Sequence, residues 1–183
     1  MIAVLDYGAG NLGSVDKALR YLGIPAVVTS DPEAVMRQRA AILPGVGALA
    51  HCMDGLRRTG LAEATLDFIS SGRPFLGICI GMQMLFDESE EGGRTPGLGV
   101  LKGQVRRFSF SPGDERKVPH MGWNTIETDA ACPLFAGIPQ RAMAYFVHSY
   151  FCVPADPSVT IATTSYGGAF SSAVMRGALL ATQ

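Results

Sequence analysis

Cys79 lies in the run Gly77-Ile78-Cys79-Ile80-Gly81-Met82-Gln83, with a glycine two residues before it and another two residues after. That spacing suits a nucleophile on a tight strand-to-helix turn, because small neighbours let the backbone bend and lift the side chain above the sheet edge. A helix starting just past the cysteine favours thiolate, and its free N–H groups can hold a developing oxyanion. The opposing reading is a buried cysteine packed as a small hydrophobe, and spacing alone leaves both open. A nucleophile also needs a base. The three histidines, His51, His120 and His148, read as helix, loop and strand residues, and none stands at a telling spacing from Cys79.

A second glycine motif competes with the first. Gly8 to Gly13, "GAGNLG", matches the GxGxxG pattern of dinucleotide sites, and Asp31 follows ~20 residues on, where a ribose-binding acid belongs. Asp6 and Tyr7 intervene between strand and glycines, however, and the later segments offer no second nucleotide-binding half. A glycine-rich turn between a strand and its helix explains the same residues. A nucleotide-binding regulator with a purely structural Cys79 stands as the alternative function.

The elements that must position Cys79 alternate in the first half of the chain. "IAVLDY", "PAVVT", "AAILPG" and "PFLGIC" read as short buried strands, and "NLGSVDKALRYLG", "DPEAV" and "GLAEATLDFISSG" as helices between them. Asp31 suits an N-cap and Pro32 the first helical position. Another helix is expected from Gly81. This order predicts an α/β fold with a mostly parallel central sheet and helices on both faces. After the acidic loop "DESEEGGRTPG", the segments "GVLKGQVRRFSF", "GWNTIET", "MAYFVHSYFCV", "VTIATTSY", "FSSAVM" and "ALLAT" read as strands that extend the same sheet in antiparallel fashion.

Composition excludes several classes of function. At 183 residues and 48% hydrophobic content the chain supports one well-buried core, so residues 1–183 read as a single domain. The net charge of −1, with acidic and basic residues interspersed, argues against nucleic-acid or membrane-surface binding. No apolar run is long enough to span a bilayer, and "MIAVL" lacks a basic lead-in, so a cytoplasmic protein is expected. Cys52, Cys79, Cys132 and Cys152 form no CxxC pair, and no histidine stands at ligand spacing. Neither a metal, a cofactor nor a disulfide framework is expected.

Four motifs together carry a family resemblance: "LPGVGA" (Leu43 to Ala48), "GICIGMQ" (Gly77 to Gln83), "VPHMGWN" (Val118 to Asn124) and "YFVHSY" (Tyr145 to Tyr150). In this combination the chain resembles the glutamine amidotransferase subunits of imidazole glycerol phosphate synthases, class I amidotransferases of histidine biosynthesis with a flavodoxin-like fold. The likeness runs through the chain in order. It implies that Cys79 attacks the side-chain amide of glutamine, releasing ammonia and leaving a thioester that water hydrolyses to glutamate. It implies an oxyanion site from amides at Gly45, Val46, Gly47 and Ile80, and substrate contacts from Gln83, Ser149 and Tyr150. His120, Met121, Gly122, Trp123 and Asn124 are expected to dock a (β/α)8 cyclase subunit as a heterodimer, which uses the ammonia to make imidazole glycerol phosphate. In the family the base and its carboxylate come from a His-Pro-Glu motif directly after a segment like "ALLATQ". The sequence stops at Gln183, so a truncated domain, inactive as written, is the expectation here; an inactive amidotransferase-like subunit is the other reading. His148 as a substitute base has little support, since it lies in the segment that resembles the substrate strand.

Overall fold

The computed structural model describes residues 1–183. Strand β1 (Ile2–Leu5), helix α1 (Leu12–Tyr21), β2 (Ala26–Thr29), α2 (Pro32–Met36), β3 (Ala40–Gly45), α3 (Leu49–Arg58), α4 (Leu61–Ser70) and β4 (Phe75–Cys79) follow in turn. The four strands pair in parallel in the order β2-β1-β3-β4. Side-chain alternation sorts them into two faces. Ala3, Leu5, Ala41, Leu43 and Phe75 meet Leu49, Met53, Leu56, Leu61 and Phe68 from α3 and α4 in the main core. Val4 and Ile42 point the other way, against Leu19 and Val15 of α1. Each large side chain removed from water contributes about 1.5–3 kcal/mol, and helices on both faces hold the strand ends in place.

Local chemistry fixes the helix starts. The Asn11 side chain accepts from Ser14 N–H at 3.2 Å and caps α1, and Asp31 accepts from Glu33 N–H at 2.9 Å and caps α2. The glycines of "GAGNLG" form the turn between β1 and α1, with Gly8 and Gly10 at φ +86° and +106°. Asp31, the expected ribose acid, is thus engaged as a cap.

Past Cys79 the chain departs from expectation. The helix expected from Gly81 is one turn, α5 (Ile80–Gln83), and the chain then enters β5 (Phe86–Ser89). The acidic "loop" carries β5 and the short β6 (Thr95–Pro96), which pair antiparallel. β7 (Leu101–Arg107), β8 (His120–Thr125), β9 (Glu127–Thr128), β10 (Met143–His148), β11 (Tyr150–Pro154), β12 (Thr160–Ser165), β13 (Ala169–Arg176) and β14 (Leu179–Thr182) complete the fold. β14 lies parallel to β4 and antiparallel to β13, joining the parallel half of the sheet to the antiparallel half.

The run "MAYFVHSYFCV" is two strands, and they serve two sheets. β11 pairs with β7 and β13 in the large sheet, while β10 pairs only with β8, opposite His120 to Thr125, in a two-stranded ribbon. The break falls at Ser149. Ribbon side chains alternate: Met121, Trp123, Met143, Tyr145 and Val147 are exposed, and His120, Phe146 and His148 are buried. The buried side packs on Phe108 and Phe170. The expected docking segment is therefore split by its own pleat. Met121 and Trp123 face outward, His120 is 3% exposed and turned into the interior, and the Asn124 amide reaches inward to the Ser165 carbonyl at 3.0 Å.

Candidate active site

Cys79 ends β4 with φ +56° and ψ −112°, a conformation that a residue with a side chain adopts only under strain. The surrounding glycines are what permit it. A Cβ on Gly81 would overlap the Leu43 carbonyl oxygen, and one on Gly77 would approach the Gly81 carbonyl oxygen at 2.9 Å. Gly45 is opposite Cys79 in the β3–β4 register, and a Cβ there would meet Ile80 Cβ at 2.7 Å. Thus "PGVG" and "GICIG" are pressed together, and side chains at those positions would push them apart.

A cavity of about 340 Å³ opens over this junction, lined among others by Val46, Gly47, Cys79, Ile80, Gln83, Ser149 and Tyr150. Residues far apart in sequence thus line one cavity, and Gly45 is not among its lining residues. The loop Pro44–Gly47 is tethered at two carbonyls: the Tyr7 hydroxyl donates to Pro44 O at 2.6 Å, and Cys52 Sγ donates to Val46 O at 3.3 Å. The N–H groups of Val46 and Gly47 donate to no protein acceptor. Burial pushes the Tyr7 phenol far above its ordinary range, so it stays a donor.

The expected depression of the Cys79 thiol is absent. Burial raises it above the ordinary thiol value, against smaller opposing effects from the Ile80 N–H and the Gln183 amide. The helix after it is one turn long, which leaves few aligned peptides to oppose desolvation. Cys79 is set apart instead by access, as Cys52, Cys132 and Cys152 are all buried and it is not.

Two residues that sequence reasoning missed belong to the site. Glu91 lines the cavity, and its carboxylate accepts from the Leu49 N–H at 2.6 Å, at the start of α3, which has no side-chain cap of its own. Gln183 donates to Cys79 Sγ at 3.5 Å and accepts from Gln83 Nε2 at 2.9 Å. The same Gln83 nitrogen reaches Tyr150 O at 3.3 Å, while Gln83 Oε1 is buried with no partner. Glu91 sits in a charged stretch that reads as solvated loop, and only the β5–β6 hairpin brings it back over α3.

His148 also borders the cavity, but both ring nitrogens are engaged away from Cys79. Nδ1 is 2.8 Å from Tyr150 O and Nε2 is 3.0 Å from His120 Nδ1. Burial lowers its pKa to about 4. It makes no hydrogen bond to Cys79, and the substitute-base reading gains no geometric support. His51 lies exposed on α3.

Residues 3–183 match the family of class-I glutamine amidotransferases. The chain is 49% identical over its whole length to the imidazole glycerol phosphate synthase subunit HisH of Syntrophotalea carbinolica, covering 90% of that protein. It is 50% identical over its whole length to the HisH subunit of Rhodopirellula baltica, covering 88% of it. Among solved structures, a glutamine amidotransferase superposes with a TM-score of 0.76 at 23% identity, over 99% of this chain and 87% of that one. Thermotoga maritima PurLQS superposes at 0.71 and 15% identity, over 100% of this chain and 85% of its counterpart.

Proposed function

Because this chain belongs to the class-I glutamine amidotransferases, and within them to the HisH subunits of imidazole glycerol phosphate synthase, we propose that the Cys79 cavity is where its glutamine is hydrolysed. The activity is that of the glutamine amidotransferase subunit of this synthase, in histidine biosynthesis. The observation that carries the site is the strained Cys79 elbow facing the unpaired Val46 and Gly47 N–H groups across one cavity.

The chemistry follows from that arrangement. Cys79 Sγ bonds to the amide carbon of glutamine, the thiol proton passes to the amide nitrogen, the C–N bond breaks and ammonia leaves; water then cleaves the thioester to glutamate and the free thiol. Negative charge on the former amide oxygen is met by the backbone N–H groups of the Gly45–Gly47 loop and Ile80. The raised thiol pKa means that a base must take the proton during attack. Glu91, the one carboxylate on the cavity wall, suits the substrate ammonium, and the unpartnered Gln83 Oε1 suits a second N–H of it. Ser149 and Tyr150 line the same cavity.

Residues 1–183 act as one amidotransferase domain in this reading, working in the cytoplasm. No helix is long and apolar enough to cross a membrane. The partner is a cyclase subunit of (β/α)8 form, docked as a heterodimer on the outward ribbon face. Met121, Trp123, Met143, Tyr145 and Val147 form an exposed apolar patch there, with Trp123 and Tyr145 edge to face at 5.6 Å. Large aromatics are frequent interface anchors.

Replacing Glu91 with Gln tests the substrate assignment. Loss of one charge-assisted contact raises the concentration of a chloroketone analogue of glutamine needed for half-maximal labelling of Cys79 by about tenfold or more. An unchanged half-maximal concentration would remove Glu91 from the substrate site.

A further inference from the structure

A directional chain of hydrogen bonds runs beneath the ribbon, and its polarity is fixed at both ends. On β8, Asn124 Oδ1 accepts from the Thr125 N–H at 2.8 Å, so the other amide atom is the nitrogen. That nitrogen donates to Ser165 O at 3.0 Å and reaches His120 Nε2 at 3.2 Å. His120 Nε2 is therefore an acceptor, and the ring's proton sits on Nδ1, 3.0 Å from His148 Nε2. At the far end a carbonyl, Tyr150 O, can only accept, so the proton of His148 sits on its Nδ1. Reasoning from either end gives the same arrangement: both rings neutral, both protonated at Nδ1. Any other tautomer sets lone pair against lone pair or N–H against N–H inside an aromatic enclosure. His120 stacks on both Tyr166 and Phe146, at centroid distances of 4.0 and 5.0 Å, which fixes its ring plane.

We propose that His120 and His148 are positioning residues for glutamine binding, holding the Tyr150 carbonyl, and through it the Gln83 amide, in register with the β8 strand of the ribbon. Tyr150 O accepts from both His148 Nδ1–H and Gln83 Nε2, so the histidine decides where the carbonyl meets Gln83. Gln83 has a buried oxygen with no partner, and that oxygen is directed by the same amide. Neither histidine hydrogen-bonds Cys79, and His148, though on the cavity wall, has both ring nitrogens engaged by Tyr150 O and His120. The inference rests on the reading that the Cys79 cavity binds glutamine.

The test labels Cys79 with a chloroketone analogue of glutamine, and separately with iodoacetamide, in wild type and in His148→Leu, His148→Gln and His120→Leu. Gln can donate to Tyr150 O and accept from His120, as His148 does. The two Leu variants are expected to need about tenfold more analogue for half-maximal labelling, roughly one lost hydrogen bond. His148→Gln recovers most of that loss, and iodoacetamide reacts with Cys79 at one rate throughout. A folded His148→Leu protein that saturates at the wild-type concentration overturns the inference, as does a parallel fall with both reagents. Wild-type labelling that neither saturates nor is slowed by glutamine refutes the glutamine reading instead. Imidazole ¹⁵N spectra of the wild type decide the chain even where a Leu variant does not fold. Both rings should be neutral and protonated at Nδ1 at pH 7, and a ring protonated at Nε2 overturns the proposal.

Discussion

At the residue scale the proposed nucleophile, Cys79, depends on partial access and a strained backbone, because partial burial holds its thiol above the ordinary value. Alkylation of Cys79 by iodoacetamide should outpace that of the three buried cysteines at every pH, and its rate should keep rising past the pH where an exposed thiol levels off. Mass spectrometry of partly labelled protein checks both, and faster labelling of Cys52 or Cys152 contradicts them. His148 behaves in the opposite sense. Its folded pKa of about 4 lies below the ordinary value of 6.5. The unfolded chain therefore binds this proton first, and stability falls as pH drops from 6.5 toward 4. The expected loss across that window is about 3 kcal/mol from this one group. Its neighbours are Phe108, Phe146 and Phe170, with His120 as its only titratable partner, so no carboxylate compensates. Urea midpoints at pH 7 and pH 4.5 should differ less in His148→Gln than in wild type; equal differences would show that burial does not hold the ring neutral.

At the element scale, the glycines are the part of the design least tolerant of change. Gly81→Ala drives a methyl into the Leu43 carbonyl, where the obstacle is backbone and cannot rotate away. The substitution should destabilise the fold by more than ~2 kcal/mol, read as a lowered denaturant midpoint. A midpoint within error of wild type would mean that β3 and α5 can separate. These close approaches explain why the parallel half was legible in the sequence. Each strand there is a short apolar run, α1 and α2 carry their own side-chain caps, and the glycines mark where elements touch. The second half was less legible for a physical reason. "MAYFVHSYFCV" has unbroken strand propensity, and only the partners β8 and β7 divide it, which no local signal encodes. Likewise α5 stops after one turn because Phe86 and Leu101 pair across strands, a tertiary preference that overrides the helical pattern of "GMQMLF". Of the residues that line the cavity, Cys79, Val46, Gly47 and Gln83 stand in motifs that the sequence singles out. Glu91 was hidden in an acidic stretch, and His120 was misread as surface because a two-residue period buries every second residue of the docking motif.

At the scale of the whole molecule, Val147 belongs both to the outward ribbon face and to the cavity wall, so the two adjoin. Trp123 is 67% exposed, so Trp123→Ala should leave the unfolding midpoint unchanged and weaken cyclase binding by more than ~1 kcal/mol, measured by calorimetry. Binding at wild-type strength would move the interface elsewhere. The central position of β14 has its own consequence, in the order of synthesis. Strands β1 to β4 leave the ribosome early with an open edge at β4, and β13 follows with another. Only Leu179–Thr182, made after β1 to β13, fills the gap between them. Until those four residues emerge the nascent chain exposes two unpaired edges, each a template for the other or for a second chain. A ribosome stalled before residue 179 would therefore display two half-sheets with no seam between them, and the step that unites them must wait for Leu179–Thr182.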